Sequence, residues 1–161
     1  MAMLTGRPSA PAAPREAGRG RRRPVVLATL SVRVDPSAER MALESAIEAG
    51  VPLIVANMMV LPAYPLTLML APDCVTLPHE EDLEEVRATA GRAAALGIAT
   101  ELLRITSRRP VRALLELLTE RDAGLVVFGP DRRRVPRTRF LTAAWLVRRR
   151  ATCLVWIAPD G

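Results

Sequence analysis

Half of the 161 residues are hydrophobic, enough for one well-buried core, and the length is too short for two ordinary domains, so a single domain is expected. The formal charge of +6 comes from 23 basic residues, all of them arginine, against 17 acids. Six of these, Arg7, Arg15, Arg19, Arg21, Arg22 and Arg23, precede residue 24 with only Glu16 against them, so the rest is nearly neutral and the high pI is no argument for a nucleic-acid-binding domain.

Residues 1–23 are rich in Pro, Ala, Gly and Arg and have little to bury, which predicts a disordered tail ahead of an α/β domain over 24–161. The tail's arginines are expected to make nonspecific contacts with polyanions at most. It has no continuous apolar run of the secretory kind, and Cys74 and Cys153 have no partner at metal-ligand spacing, so a cytoplasmic protein with two free thiols is expected.

Val25 to Leu30 is a continuous apolar run, the pattern of a central parallel strand covered on both faces. Asp35-Pro36 is a helix start, with Met41, Ala42, Ser45 and Ala49 on one face and Gly50 as the stop. Val51 to Val60 reads as the second strand. Ala49 to Pro72 carries no charge, but Pro52, Pro62, Pro65 and Asn57 argue against a membrane span, and no membrane partner is expected. The apolar stretch Leu61 to Leu70 should be covered, by its own domain, by a protein partner or by a second subunit.

Glu80 to Leu96 has acids in its first turn, Leu83, Val86, Ala90 and Ala94 facing inward, and Gly97 after its end. His79, the lone histidine, has no base partner discernible in the sequence. Ile98 to Ile105 alternates as a third strand, Pro110 to Arg121 is an amphipathic helix on Val111, Leu114, Leu115 and Leu118, and Leu125 to Phe128 is a fourth strand ended by Gly129-Pro130. A helix over Thr138 to Arg150, with Phe140, Leu141, Ala144, Trp145 and Val147 in one apolar sector, leads into the last strand, Cys153 to Ile157. Five strands alternating with four helices predict a doubly wound parallel sheet with helices on both faces, whose ligand crevice lies where the winding reverses.

The C-terminal part, Gly124 to Ile157, resembles the end of a universal stress protein domain. That family has a strand ending in Gly, two residues, Gly, nine residues and Gly-Ser/Thr before the last helix and strand. This chain has Gly129, then Arg132 at the second glycine, Leu141-Thr142 at the Gly-Ser/Thr, and Ala151-Thr152-Cys153-Leu154-Val155 for the last strand. The loop is one residue shorter. Aligning the first strand on Ala28 sets Leu30 at the family's adenine-binding Asp and Ser31 at the following Gly, and Asn57-Met58 stands where His-Val is common. The resemblance implies strand order 3-2-1-4-5 over roughly residues 24 to 159, and a nucleotide crevice at Leu30, Ser31, Met58, Gly129, Arg132, Arg133 and Thr142.

Leucine cannot accept a hydrogen bond from an adenine amino group, and Arg132 and Arg133 cannot close backbone N–H groups around a phosphate as glycine does. ATP is therefore disfavoured and no cofactor is expected. Arg132, Arg133 and Arg134 are expected to be solvated, to hold an anion by their guanidinium groups, or to meet a protein. No distinctive acid pair, metal cluster or nucleophile with a nearby base stands out, so no enzyme is expected. The reading is a binding or signalling module, homodimeric through the last strand, Cys153 to Ile157, with a nucleotide or anion binder using the arginine loop as the alternative.

Overall fold

The structure, a computed structural model, describes residues 22–61 and 80–158. Most of the tail, most of the apolar stretch from Leu61 to Leu70, Cys74 and His79 lie outside the described residues. The chain alternates β1 (Val25–Thr29), α1 (Pro36–Ala49), β2 (Leu53–Val60), α2 (Glu80–Ala95), β3 (Thr100–Ser107), α3 (Pro110–Glu120), β4 (Leu125–Phe128), α4 (Arg137–Arg150) and β5 (Leu154–Ile157). All strand pairs are parallel, in the order β3-β2-β1-β4-β5.

Every residue of β1 is buried, as its unbroken apolar run requires of a strand with helices on both faces. Successive side chains leave on opposite faces. Val26, Ala28, Ile54, Ala56, Met58, Val126 and Phe128 pack with Leu114, Leu118, Phe140 and Val147 of α3 and α4. Val25, Leu27, Leu53, Val55 and Val127 pack with Ala38, Ala42, Ala46, Val86 and Ala93 of α1 and α2. Each fully buried Val or Leu contributes on the order of 2 kcal/mol, so these two layers hold the sheet between them.

Asp35 caps α1 by accepting the Ser37 N–H at 2.9 Å, Pro36 occupies the first turn, and Gly50 ends the helix in the left-handed conformation at φ 60°. β3 starts two residues later than expected, at Thr100, and as an edge strand it leaves Leu102 and Arg104 exposed while Leu103 and Ile105 pack toward α3 and α4.

Three helix faces differ from the expectation. The buried stripe of α1 is Ala38, Ala42 and Ala46 with Ala49 exposed, and α2 buries Ala93 instead of Ala94. On α4 the buried residues are Phe140, Ala143, Ala144 and Val147, at i, i+3, i+4 and i+7, whereas Leu141 and Trp145 stand one step round the helix and are exposed. A helix lying on a sheet buries a narrower sector than its apolar residues mark out, and the small alanines define the line of contact. Among the described residues no helix is long and apolar enough to cross a membrane.

Candidate functional site

The winding reverses between β1 and β4, where the loops that leave their carboxyl ends lie side by side. An antiparallel bridge joins Val34 to Pro130, Asp35 N–H donates to Gly129 O at 2.8 Å, and Asp131 N–H donates to Arg33 O at 3.0 Å.

The β1 side of this crevice is filled by polar ties. Ser31 adopts φ 58°, a conformation that favours glycine. Its N–H donates to Asn57 Oδ1 at 3.2 Å, its hydroxyl donates to Met58 O at 3.1 Å, and Val60 N–H donates to the Ser31 oxygen at 3.4 Å. The ends of β1 and β2 are thus sewn together by a serine and a buried asparagine. Met58 is itself fully buried beneath them, in the layer facing α3 and α4.

The β4 side is closed by ion pairs. Asp131 is buried and accepts Arg33 Nε at 2.7 Å and Arg133 N–H at 3.0 Å. Asp82 of α2, also buried, accepts Arg33 N–H at 3.2 Å and the Arg134 guanidinium at 3.1 Å. Burial pushes the Asp131 carboxyl upward, but the Arg33 hydrogen bond, the Arg133 N–H and the charges of both arginines outweigh it and hold the group below the ordinary aspartate value. Arg33 is correspondingly raised by its hydrogen bond to Asp131. Asp131 therefore already supplies this loop with an anion of its own, and it takes the backbone donor of Arg133 that a phosphate could otherwise use.

Of the residues the sequence marks for the crevice, Leu30 and Thr142 come together. They line a cavity of about 340 Å³ with Pro110, Val111, Thr138 and Arg139, next to the first turn of α4, whose cap position, Pro136, offers no side-chain hydrogen bond. The others are engaged elsewhere or turned outward. Gly129 faces α1, where a Cβ on it would stand 2.0 Å from the Cβ of Ala38. Arg132 lies over the Phe140 ring at 5.3 Å from the centroid, and Arg133 is exposed. Arg33 and Asp82 were not marked for the crevice by the sequence, and Asn57 was marked only by its place, with Met58, where the family commonly has His-Val. Asn57 also carried a signal of its own, since it interrupts an apolar strand run and is too polar to be buried without a partner.

Cys153 is half-buried and its thiol is pushed up by burial, which makes it a poor nucleophile. Among the described residues no three His, Cys, Asp or Glu side chains converge to hold a metal ion.

The model of the universal stress protein family matches residues 21–159. This chain belongs to that family. Solved universal stress proteins share its architecture. One in complex with cAMP is 22% identical, with 88% of this chain and 100% of that one covered at a TM-score of 0.60. The protein from Archaeoglobus fulgidus in complex with dAMP is 24% identical, covering 84% and 96% at 0.53. One from Burkholderia pseudomallei is 19% identical, covering 89% and 100% at 0.55. No curated protein matches the chain.

Proposed function

We propose that this universal stress protein is a binding and signalling module that does not hold ATP tightly and acts as a homodimer. What supports this is the set of hydrogen bonds and ion pairs that the chain's own residues make across the crevice. The Arg33–Asp131 and Arg134–Asp82 pairs draw the two loops together, and Ser31 with Asn57 occupies the ends of β1 and β2. A nucleotide entering here would have to displace two buried carboxylates from arginines that are themselves partly exposed, and that would leave the carboxylates without their charged partners. The universal stress proteins solved with cAMP and dAMP carry a nucleotide on the same fold; in this chain Leu30 and Arg132 stand where a nucleotide site would need an acceptor and a flexible backbone.

Dimerisation follows from β5. It is an edge strand, and Leu154 is 74% exposed on it, which leaves an apolar template for pairing. A two-fold partner would bury both copies of that edge at once. Light scattering behind a sizing column should give twice the chain mass at tens of micromolar, roughly where a standard interface holds. A monomer there contradicts the dimer. For the crevice, protein purified under native conditions should release no adenine nucleotide on denaturation.

A second reading keeps anion binding and is favoured by one feature, the cavity of Leu30, Thr138, Arg139 and Thr142 at the uncapped first turn of α4. Stoichiometric nucleotide in the purified protein would favour it over the first.

A further inference from the structure

Charge is unevenly distributed on the two sides of the sheet. From residue 132 to residue 158 the chain has no acid, and Arg132, Arg133, Arg134, Arg137, Arg139, Arg148, Arg149 and Arg150 all fall in this stretch. Arg134 alone among these is ion-paired; the other seven have no carboxylate within 4.0 Å among the described residues. On the same helix Trp145 is 57% exposed and Leu141 51%, four residues apart and thus adjacent on its outer surface, and Arg149 lies over the Trp145 ring at 5.4 Å. An outward tryptophan and leucine flanked by arginines that have no carboxylate partner among the described residues is not what a purely solvated helix presents.

We propose that the outer face of α4 is a docking surface for an anionic lipid bilayer, which the protein meets peripherally. The occupant follows from the chemistry of the face. A second copy apposed there by two-fold symmetry would set Arg137, Arg148 and Arg149 against their own kind, which disfavours self-association through it. Nucleic acid would satisfy the guanidinium groups but gives Leu141 nothing to bury into. An anionic membrane interface accepts both halves of the pattern: Trp and Leu enter the boundary between headgroups and acyl chains, and the arginine stems reach to the lipid phosphates.

The geometry of the fold reinforces the charge. The strands β1, β4 and β5 begin in register at Val25, Leu125 and Leu154, and α4 ends in Arg148–Arg150 just before the last of these. Arg22 and Arg23 precede β1 at this same pole, so the arginine-rich residues 1–21 connect to the domain there. On the neighbouring α3 the carboxylates are Glu116 and Glu120, which line the groove between the two helices, and Glu116 is already paired with Arg112 at 3.0 Å.

The test uses the full chain carrying Trp156→Phe, which leaves Trp145 as the single tryptophan, with vesicles of phosphatidylglycerol mixed with phosphatidylcholine. The expected result is co-sedimentation with a shift of Trp145 emission to shorter wavelength, both abolished by high salt and absent with phosphatidylcholine alone. Each arginine near an anionic leaflet strengthens adsorption roughly fivefold, so Arg148→Gln with Arg149→Gln should weaken it by about twentyfold or more. In the native-tryptophan chain, Trp145→Ser should also weaken it. Trp145, Arg148 and Arg149 are exposed, so their variants keep the fold. Three results would overturn the proposal: no adsorption to anionic vesicles at low salt, adsorption unchanged by the α4 variants, which would assign it to residues 1–21, or displacement from vesicles by single-stranded DNA that binds more tightly and shifts Trp145 itself.

Discussion

After β1 a serine holds a left-handed backbone, and after β4 a glycine holds a backbone that is not left-handed. The two junctions face each other across the crevice, and the side chain present at each is the reverse of what backbone conformation alone would select. Gly129 is needed for space, because α1 packs so closely that any Cβ would collide with Ala38. Ser31 is tolerated in a conformation that costs about 1 kcal/mol because its hydroxyl and N–H are used by β2. Gly129 therefore marks a place where helix meets sheet.

The largest effect should come from Gly129→Ala. Its new Cβ would overlap Ala38, which should destabilise the domain by about 3 kcal/mol in urea titration. Ala38→Gly in the same chain should recover part of this, since the remaining neighbours, Ala38 Cα and Ala158 Cβ, lie at an ordinary 3.5 Å. A Gly129→Ala chain as stable as the native one would show that the junction is not closely packed.

A smaller, pH-dependent effect is expected at Asp131. Its carboxyl is held below the ordinary value of 3.8, so in acid the unfolded chain takes up the proton first. The stabilisation is complete above that value and is lost as pH falls through the lowered native value. Asp131→Asn should therefore flatten the acid limb of the stability curve below about pH 4. An unaltered limb would mean that the Arg33–Asp131 pair does not form in solution.

The smallest effect separates the two parts of the serine's role. Ser31→Ala keeps the left-handed cost and loses the hydroxyl bonds, for a loss of about 1–2 kcal/mol, whereas Ser31→Gly loses the same bonds but relieves the strain and should be nearly neutral. Equal losses in the two variants would mean that the strain is not paid at this position.

The strands and the helix caps were legible in the sequence because they rest on local rules: the apolar run of β1, Asp35-Pro36 at a helix start, Gly50 and Gly97 after helix ends; the strand order came with the family resemblance. The crevice was only half legible. The family resemblance sets Leu30 and Arg132 where an acceptor and a glycine are expected. What fills the space instead did not show, because Arg33 meets Asp131 across 98 residues and Arg134 meets Asp82 across 52, and no periodicity reports such pairs. The outward turn of Leu141 and Trp145 was missed for a related reason. An apolar sector on a helical wheel does not say how much of it the sheet will cover, and on α4 the alanines at 143 and 144 decide it.

If the chain's own carboxylates and serine close the crevice to nucleotide, calorimetric titration with Mg-ATP should give no heat of binding, or a dissociation constant weaker than about 100 μM. A saturable isotherm at roughly micromolar affinity or tighter, with one nucleotide per chain, would mean that the crevice is open.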